Sequence, residues 1–114
     1  MTSAPADGVL AALADPTRWR VLSLLAERGE GTATSLAGEL PVSRVAVVKH
    51  LAVLDRAGLV EGRREGREVR YTVRTEPLGE TARWMAQLAS QWEGRLAAIK
   101  RLAEADPNTQ ENSS

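Results

Sequence analysis

Hydrophobic spacing changes character twice along this chain of 114 residues. From Val9 to Leu54 apolar residues recur at intervals of three and four. From Leu59 to Arg74 they alternate with polar ones, and from Trp84 onward the earlier rhythm returns. The first pattern predicts helices, the second a hairpin and the third a long final helix. Val9, Leu10 and Leu13 predict a short first helix over 8–14. Asp15-Pro16 starts a second, because Asp is a favoured N-cap and Pro a favoured first helical residue. That helix runs to about Arg28 with Val21, Leu22, Leu24 and Leu25 inward and Trp19 partly buried, and Gly29 and Gly31 end it.

Thr34 is placed to cap a third helix over 35–40, and Leu40-Pro41-Val42 reads as a tight turn. Ser43 then caps a fourth helix over 44–57, with Val42 and Val47 at hydrophobic-staple positions. Val47, Leu51 and Leu54 form its core stripe, and Gly58 stands just past its end. Strands are expected over 59–64 and 68–74 around Glu65-Gly66-Arg67, with Val69, Tyr71 and Val73 on one face. Pro77 opens the last helix and Asp106-Pro107 stops it near Ala105. Its stripe of Trp84, Met85, Leu88, Trp92, Leu96, Ile99 and Leu102 or Ala103 has the spacing of a coiled-coil seam. Such a helix is about 40 Å long, more than so small a body covers. Residues 1–7 and 107–114 read as polar, disordered tails, leaving one domain over 8–106.

The net charge is zero, but its distribution is uneven. Between Ser43 and Arg74 eight Lys or Arg face four acids, giving +4 there and −4 over the rest. Local sign matters more than the sum for a nucleic-acid partner. The element order (three helices, a turn, a capped helix, a hairpin and a long helix) is that of a winged helix-turn-helix. The fold class is mainly α with a small β-hairpin and a long C-terminal dimerisation helix. The helix after the turn can enter the major groove of duplex DNA with its first residues at base edges. Those residues are Ser43, Arg44, Val45, Ala46, Val48 and Lys49, arranged around an inward Val47. Arg44 suits guanine O6 and N7, and Val45, Ala46 and Val48 suit thymine methyls. Ser43 and Lys49 suit phosphates, and His50 sits near the same backbone. Arg63, Arg64, Arg67 and Arg70 crowd the hairpin, where a wing lies along the phosphate backbone or enters the minor groove.

Residues 9–74 resemble the ArsR family of bacterial repressors. The likeness is carried by ALADPTRWRVLSLL (12–25), ATSLAGELPVSRVAVVKHLAVLDRAGLV (33–60) and GRREGREVRYTV (62–73). Within the middle stretch Ser43, His50-Leu51, Leu54 and Ala57-Gly58-Leu59-Val60 sit where the family pattern has them. The resemblance implies a homodimer built from the first and last helices, through Val9, Leu10, Leu13, Trp84, Leu88, Trp92, Leu96 and Ile99. It also implies repression from an inverted-repeat operator of double-stranded DNA. Position 48, usually Ser in the family, is Val here. The Cys pairs or Asp/His sets of metal-sensing members have no counterpart, and the final helix is similar to that of a subgroup lacking metal sites.

Plainer readings stand beside these. The wing arginines interleave with Glu61, Glu65 and Glu68 and can form a solvated, self-paired hairpin. Trp84 and Trp92 can line a ligand pocket instead of a seam. Arg18 is either a phosphate contact or solvated. His50 is the only histidine, and a lone His does not make a metal site. There is no cysteine, no nucleophile–base set and no glycine-rich phosphate loop, so neither an enzyme, a cofactor nor a metal is expected. No leader-like or membrane-spanning pattern occurs and a cytoplasmic protein is expected; nothing points to a small-molecule inducer. The competing function is a winged helix that binds protein and no DNA.

Overall fold

The computed structural model describes residues 7–105. Its elements in order are α1 (Asp7–Leu13), α2 (Pro16–Arg28), α3 (Ala33–Ala37), α4 (Arg44–Arg56), β1 (Val60–Glu65), β2 (Glu68–Val73) and α5 (Glu76–Ala105). The tails expected at 1–7 and 107–114 lie outside the described residues, except Asp7, which opens α1. No described helix is long and apolar enough to cross a membrane. The chain forms two compact units, one up to Thr81 and one from Ala82.

Local chemistry explains the boundaries in the first unit. The Asp15 carboxylate accepts from the backbone N–H groups of Thr17 (2.7 Å) and Arg18 (3.2 Å), satisfying two donors that α2 leaves open. Those bonds, the Arg18 one first, hold the Asp15 carboxyl below the usual carboxylate range, with the positive charge of Arg18 adding to them. Arg18 is neither a free phosphate ligand nor simply solvated. Its Nε donates to the Ala12 carbonyl at 2.6 Å, tying the start of α2 to the end of α1.

The third helix begins earlier and is shorter than Thr34 as a cap predicts. Thr32 is the N-cap, with Oγ1 accepting from Ser35 N (3.0 Å) while Ser35 Oγ accepts from Thr32 N (2.9 Å). Two donors are satisfied at once, which outcompetes the single bond Thr34 could offer. The helix closes at Ala37, so the turn to α4 spans residues 38–43 and is longer than Leu40-Pro41-Val42 alone. Arg28, at the end of α2, hydrogen-bonds Glu39 and braces that turn.

The core joins Val9 and Ala12 of α1, Val21, Leu22 and Leu25 of α2, Leu36 of α3 and Val47, Leu51 and Leu54 of α4, with Leu59 and Val60 closing it. Val9 corrects the expected dimer set. It is 3% exposed and fills its own chain's core, so α1 leaves Leu10 as its exposed large apolar side chain. Trp19, expected to be partly buried, is 56% exposed. At the end of α4, Gly58 takes φ 76°, a left-handed turn that β-carbons disfavour, and Leu59 drops into the core.

β1 and β2 pair antiparallel in the register Val60↔Val73, Gly62↔Tyr71, Arg64↔Val69, with Arg63 opposite Arg70. The loop is two residues, Gly66 and Arg67, and only Gly66 has positive φ (63°), the pattern of a type II′ turn. On its other side β2 is bonded to the α2–α3 loop: Gly31 N donates to Tyr71 O (3.1 Å) and Tyr71 N to Gly31 O (2.8 Å). In the second unit α5 carries Met85, Leu88, Trp92, Leu96, Ile99 and Leu102 exposed, and the Arg95 guanidinium lies 5.5 Å from the Trp92 ring centre. Trp84 is half-buried.

Candidate nucleic-acid interface

The second helix of the motif presents its first turns outward. Ser43 has extended backbone, and its Oγ accepts from Ala46 N at 3.1 Å, which fixes where α4 starts. From that start the 3.6-residue period decides each direction. Val47, Leu51 and Leu54 are fully buried, whereas Ser43, Arg44, Val45, Val48 and Lys49 are exposed and Ala46 and His50 half-buried. Two branched apolar residues, Val45 and Val48, thus face solvent at the head of a helix, where folding alone gives no reason for them.

Arg44 is held from the preceding helix. Its Nε donates to Thr34 Oγ1 at 3.1 Å, which leaves the two terminal NH₂ groups as a fork. Sequence reasoning makes Thr34 a cap and misses this bond to Arg44. The signal for it is the Thr32-x-x-Ser35 pair, which takes the capping task and leaves the Thr34 side chain on the outer face.

The hairpin stands beside this head. A cavity of about 260 Å³ is walled by Thr34, Arg44 and Val48 on one side and by Arg67, Val69 and Tyr71 on the other. Arg44 and Arg67 therefore border one hollow, which brings the start of α4 and the wing tip together. Ladder alternation then sorts the wing. Arg64 shares the face of Gly62, Val69 and Tyr71. Arg63 and Arg70 lie on the opposite face with Glu61, Glu65, Glu68 and Thr72. Arg70 hydrogen-bonds Glu65, is 3.5 Å from Glu30, and its pKa is raised chiefly by the Glu65 bond. Arg63 reaches the same Glu65 at 3.8 Å. Among the described residues Arg64 and Arg67 have no ion-pair partner, and no three His, Cys, Asp or Glu side chains gather as metal ligands.

Comparison with known proteins agrees with this geometry. A family model described as a helix-turn-helix domain matches residues 13–63. A solved structure described as an ArsR-like transcriptional regulator from Rhodococcus sp. RHA1 superposes with a TM-score of 0.79 at 47% identity, covering 90% of this chain and 96% of that one. The transcriptional repressor SdpR of Bacillus subtilis (strain 168) is 29% identical over 79% of this chain and 99% of its own length. An uncharacterized HTH-type transcriptional regulator of the same organism, YuzN, is 38% identical over 63% of this chain and 85% of its own.

Proposed function

We propose that this chain, which belongs to the ArsR-like family of helix-turn-helix transcriptional regulators, is a repressor that reads an inverted-repeat operator as a homodimer in the cytoplasm. The observation that carries the reading is the shared hollow: the outward start of α4 and the wing tip border one cavity, with Arg44 on one wall and Arg67 on the other. A recognition helix needs its first residues free at base edges and a neighbouring cation on the backbone.

Each side chain has a role on that plan. The Arg44 fork reads guanine O6 and N7, a pairing worth about 1–3 kcal/mol of discrimination. Val45, Val48 and Ala46 meet thymine methyls. Ser43, Lys49 and His50 approach phosphates, and the N-terminus of α4 adds its own partial positive charge there. From the wing, Arg64 and Arg67 neutralise phosphates or enter the minor groove. Dimerisation is supported by the apolar side chains a single chain leaves exposed, Leu10 on α1 and the run from Leu88 to Ile99 on α5. Trp84, on the same helix, is half-buried, and Leu13 of α1 is half-buried against the chain's own core.

The test is an electrophoretic shift on the DNA upstream of the chain's own gene, repeated across salt concentrations. Binding should weaken steeply with salt, because phosphate contacts release counterions. Arg44→Ala should narrow the gap between operator and random DNA, whereas Arg67→Ala should weaken both alike. Absence of any shift at low salt would overturn the reading in favour of a winged helix that binds protein alone.

A further inference from the structure

The four wing arginines are not equivalent, and the ladder shows why. Arg63 and Arg70 are directly opposite on one face, where two like charges repel. That same face carries Glu61, Glu65 and Glu68, so acids outnumber the arginines there. Glu65 takes both: it hydrogen-bonds Arg70 and lies 3.8 Å from Arg63. Arg70 also reaches Glu30 at 3.5 Å, on the loop between α2 and α3. One residue along, Gly31 and Tyr71 exchange their two backbone hydrogen bonds. The loop is thus fastened to β2 twice, by backbone at Tyr71 and by charge at Arg70. Exposure follows the same division, with the Arg70 side chain 33% exposed and Arg63 73%. Arg64 and Arg67 lie off this face, at the opposite side and the tip, and neither forms an ion pair among the described residues, although Glu68 borders the same hollow as Arg67.

We propose that Arg70 is a positioning residue, not a phosphate contact: through Glu30 and Glu65 it latches the wing to the α2–α3 loop, so that Arg64 and Arg67 alone carry the wing's charge to DNA. The latch rests on the DNA-binding reading only for its purpose. A wing free to swing loses conformational freedom on binding, and one already fixed loses less. Strand register puts Arg63 on the same far face, 3.8 Å from Glu65, where three acids stand against the two arginines.

Two measurements on the full chain test this. The first is the slope of log affinity against log salt on operator DNA, which becomes shallower by about 0.9 for each phosphate that the protein no longer neutralises. Arg67→Gln and Arg64→Gln should each reduce the slope by that step per protomer. Arg70→Gln should lower affinity several-fold and leave the slope unchanged. The second is amide hydrogen exchange over residues 60–73, with no DNA present. Arg70→Gln and Glu30→Gln should each speed exchange there, and the double variant should be no faster than Arg70→Gln alone, which already removes both acid contacts. A slope reduced by Arg70→Gln as much as by Arg67→Gln would overturn the proposal. So would exchange unchanged in both single variants, or additive in the double one. Because exchange is read without DNA, a chain that failed to bind any duplex would sink the operator reading and leave the latch to be judged separately.

Discussion

Arg44 has two claims on its guanidinium, and they are compatible. Thr34 Oγ1 accepts a hydrogen bond from the Nε–H, and the terminal nitrogens stay clear for a planar, two-point acceptor. Fixing one donor in advance removes rotamer freedom that a long side chain otherwise loses on binding. Thr34→Val keeps the shape, removes the acceptor and buries no unpaired group, since Thr34 is exposed. Thermal stability should stay close to that of the parent. Discrimination between operator and random DNA should drop, by less than with Arg44→Ala, whose loss is set by the whole bidentate pair at about 1–3 kcal/mol. Fluorescence anisotropy on the two duplexes measures both variants. Equal discrimination in Thr34→Val and the parent would mean that the hydrogen bond does not orient the fork.

At the scale of elements, the caps decide where the motif begins, and one of them is titratable. The Asp15 carboxylate holds two backbone donors of α2, and its native pKa is lowered, the Arg18 N–H being the largest cause. A group with a depressed native pKa contributes stability that is complete above its unfolded value and is lost as pH falls through the native one. Asp15→Asn keeps a capping oxygen and cannot titrate. Denaturant unfolding should therefore show the parent ahead of this variant at about pH 7, with the gap shrinking as pH falls below the ordinary aspartate value of about 4 towards the lowered native one. A gap that persists undiminished in acid would show that the carboxylate's charge is not what α2 uses. Asp15-Pro16 and Ser43 are legible in the sequence because such caps are local: the residue and its partners lie within three positions. The buried stripes of α2 and α4 are legible for the same reason, since periodicity is a local signal. Thr32 and Thr34 are not separable by rank alone, both being threonines just before an apolar run, and the reciprocal Ser35 bond decides between them. Glu30 with Arg70, and Ala12 with Arg18, are beyond reach, because tertiary packing chooses those partners. Val9 escapes sequence reasoning because an apolar residue on a short helix reads alike whether it faces its own core or a second copy.

For the molecule as a whole, the question is what a second copy would add to one reading head with few points of attachment. In the proposed homodimer two heads are linked through α5, and the second then binds at the high effective concentration set by the first, a gain of about 10²–10⁴ with no further interaction needed. The α5 helix has the length for this, 30 residues or about 45 Å, and it leaves Leu88, Trp92, Leu96 and Ile99 exposed in the single chain. Trp92, 52% exposed, lies at the middle of that run, so Trp92→Asp places a charge in the proposed seam without disturbing the buried core of the other unit. Sedimentation should then find monomer where the parent is a dimer. Affinity for an inverted repeat with half-sites about one helical turn apart should fall by about 100-fold or more. Affinity for an isolated half-site should hardly change, because Arg44 and the wing are untouched. That contrast separates failed pairing from a damaged head: equal losses on both duplexes would point to the head, and an intact dimer would show that α5 is not where the two copies meet.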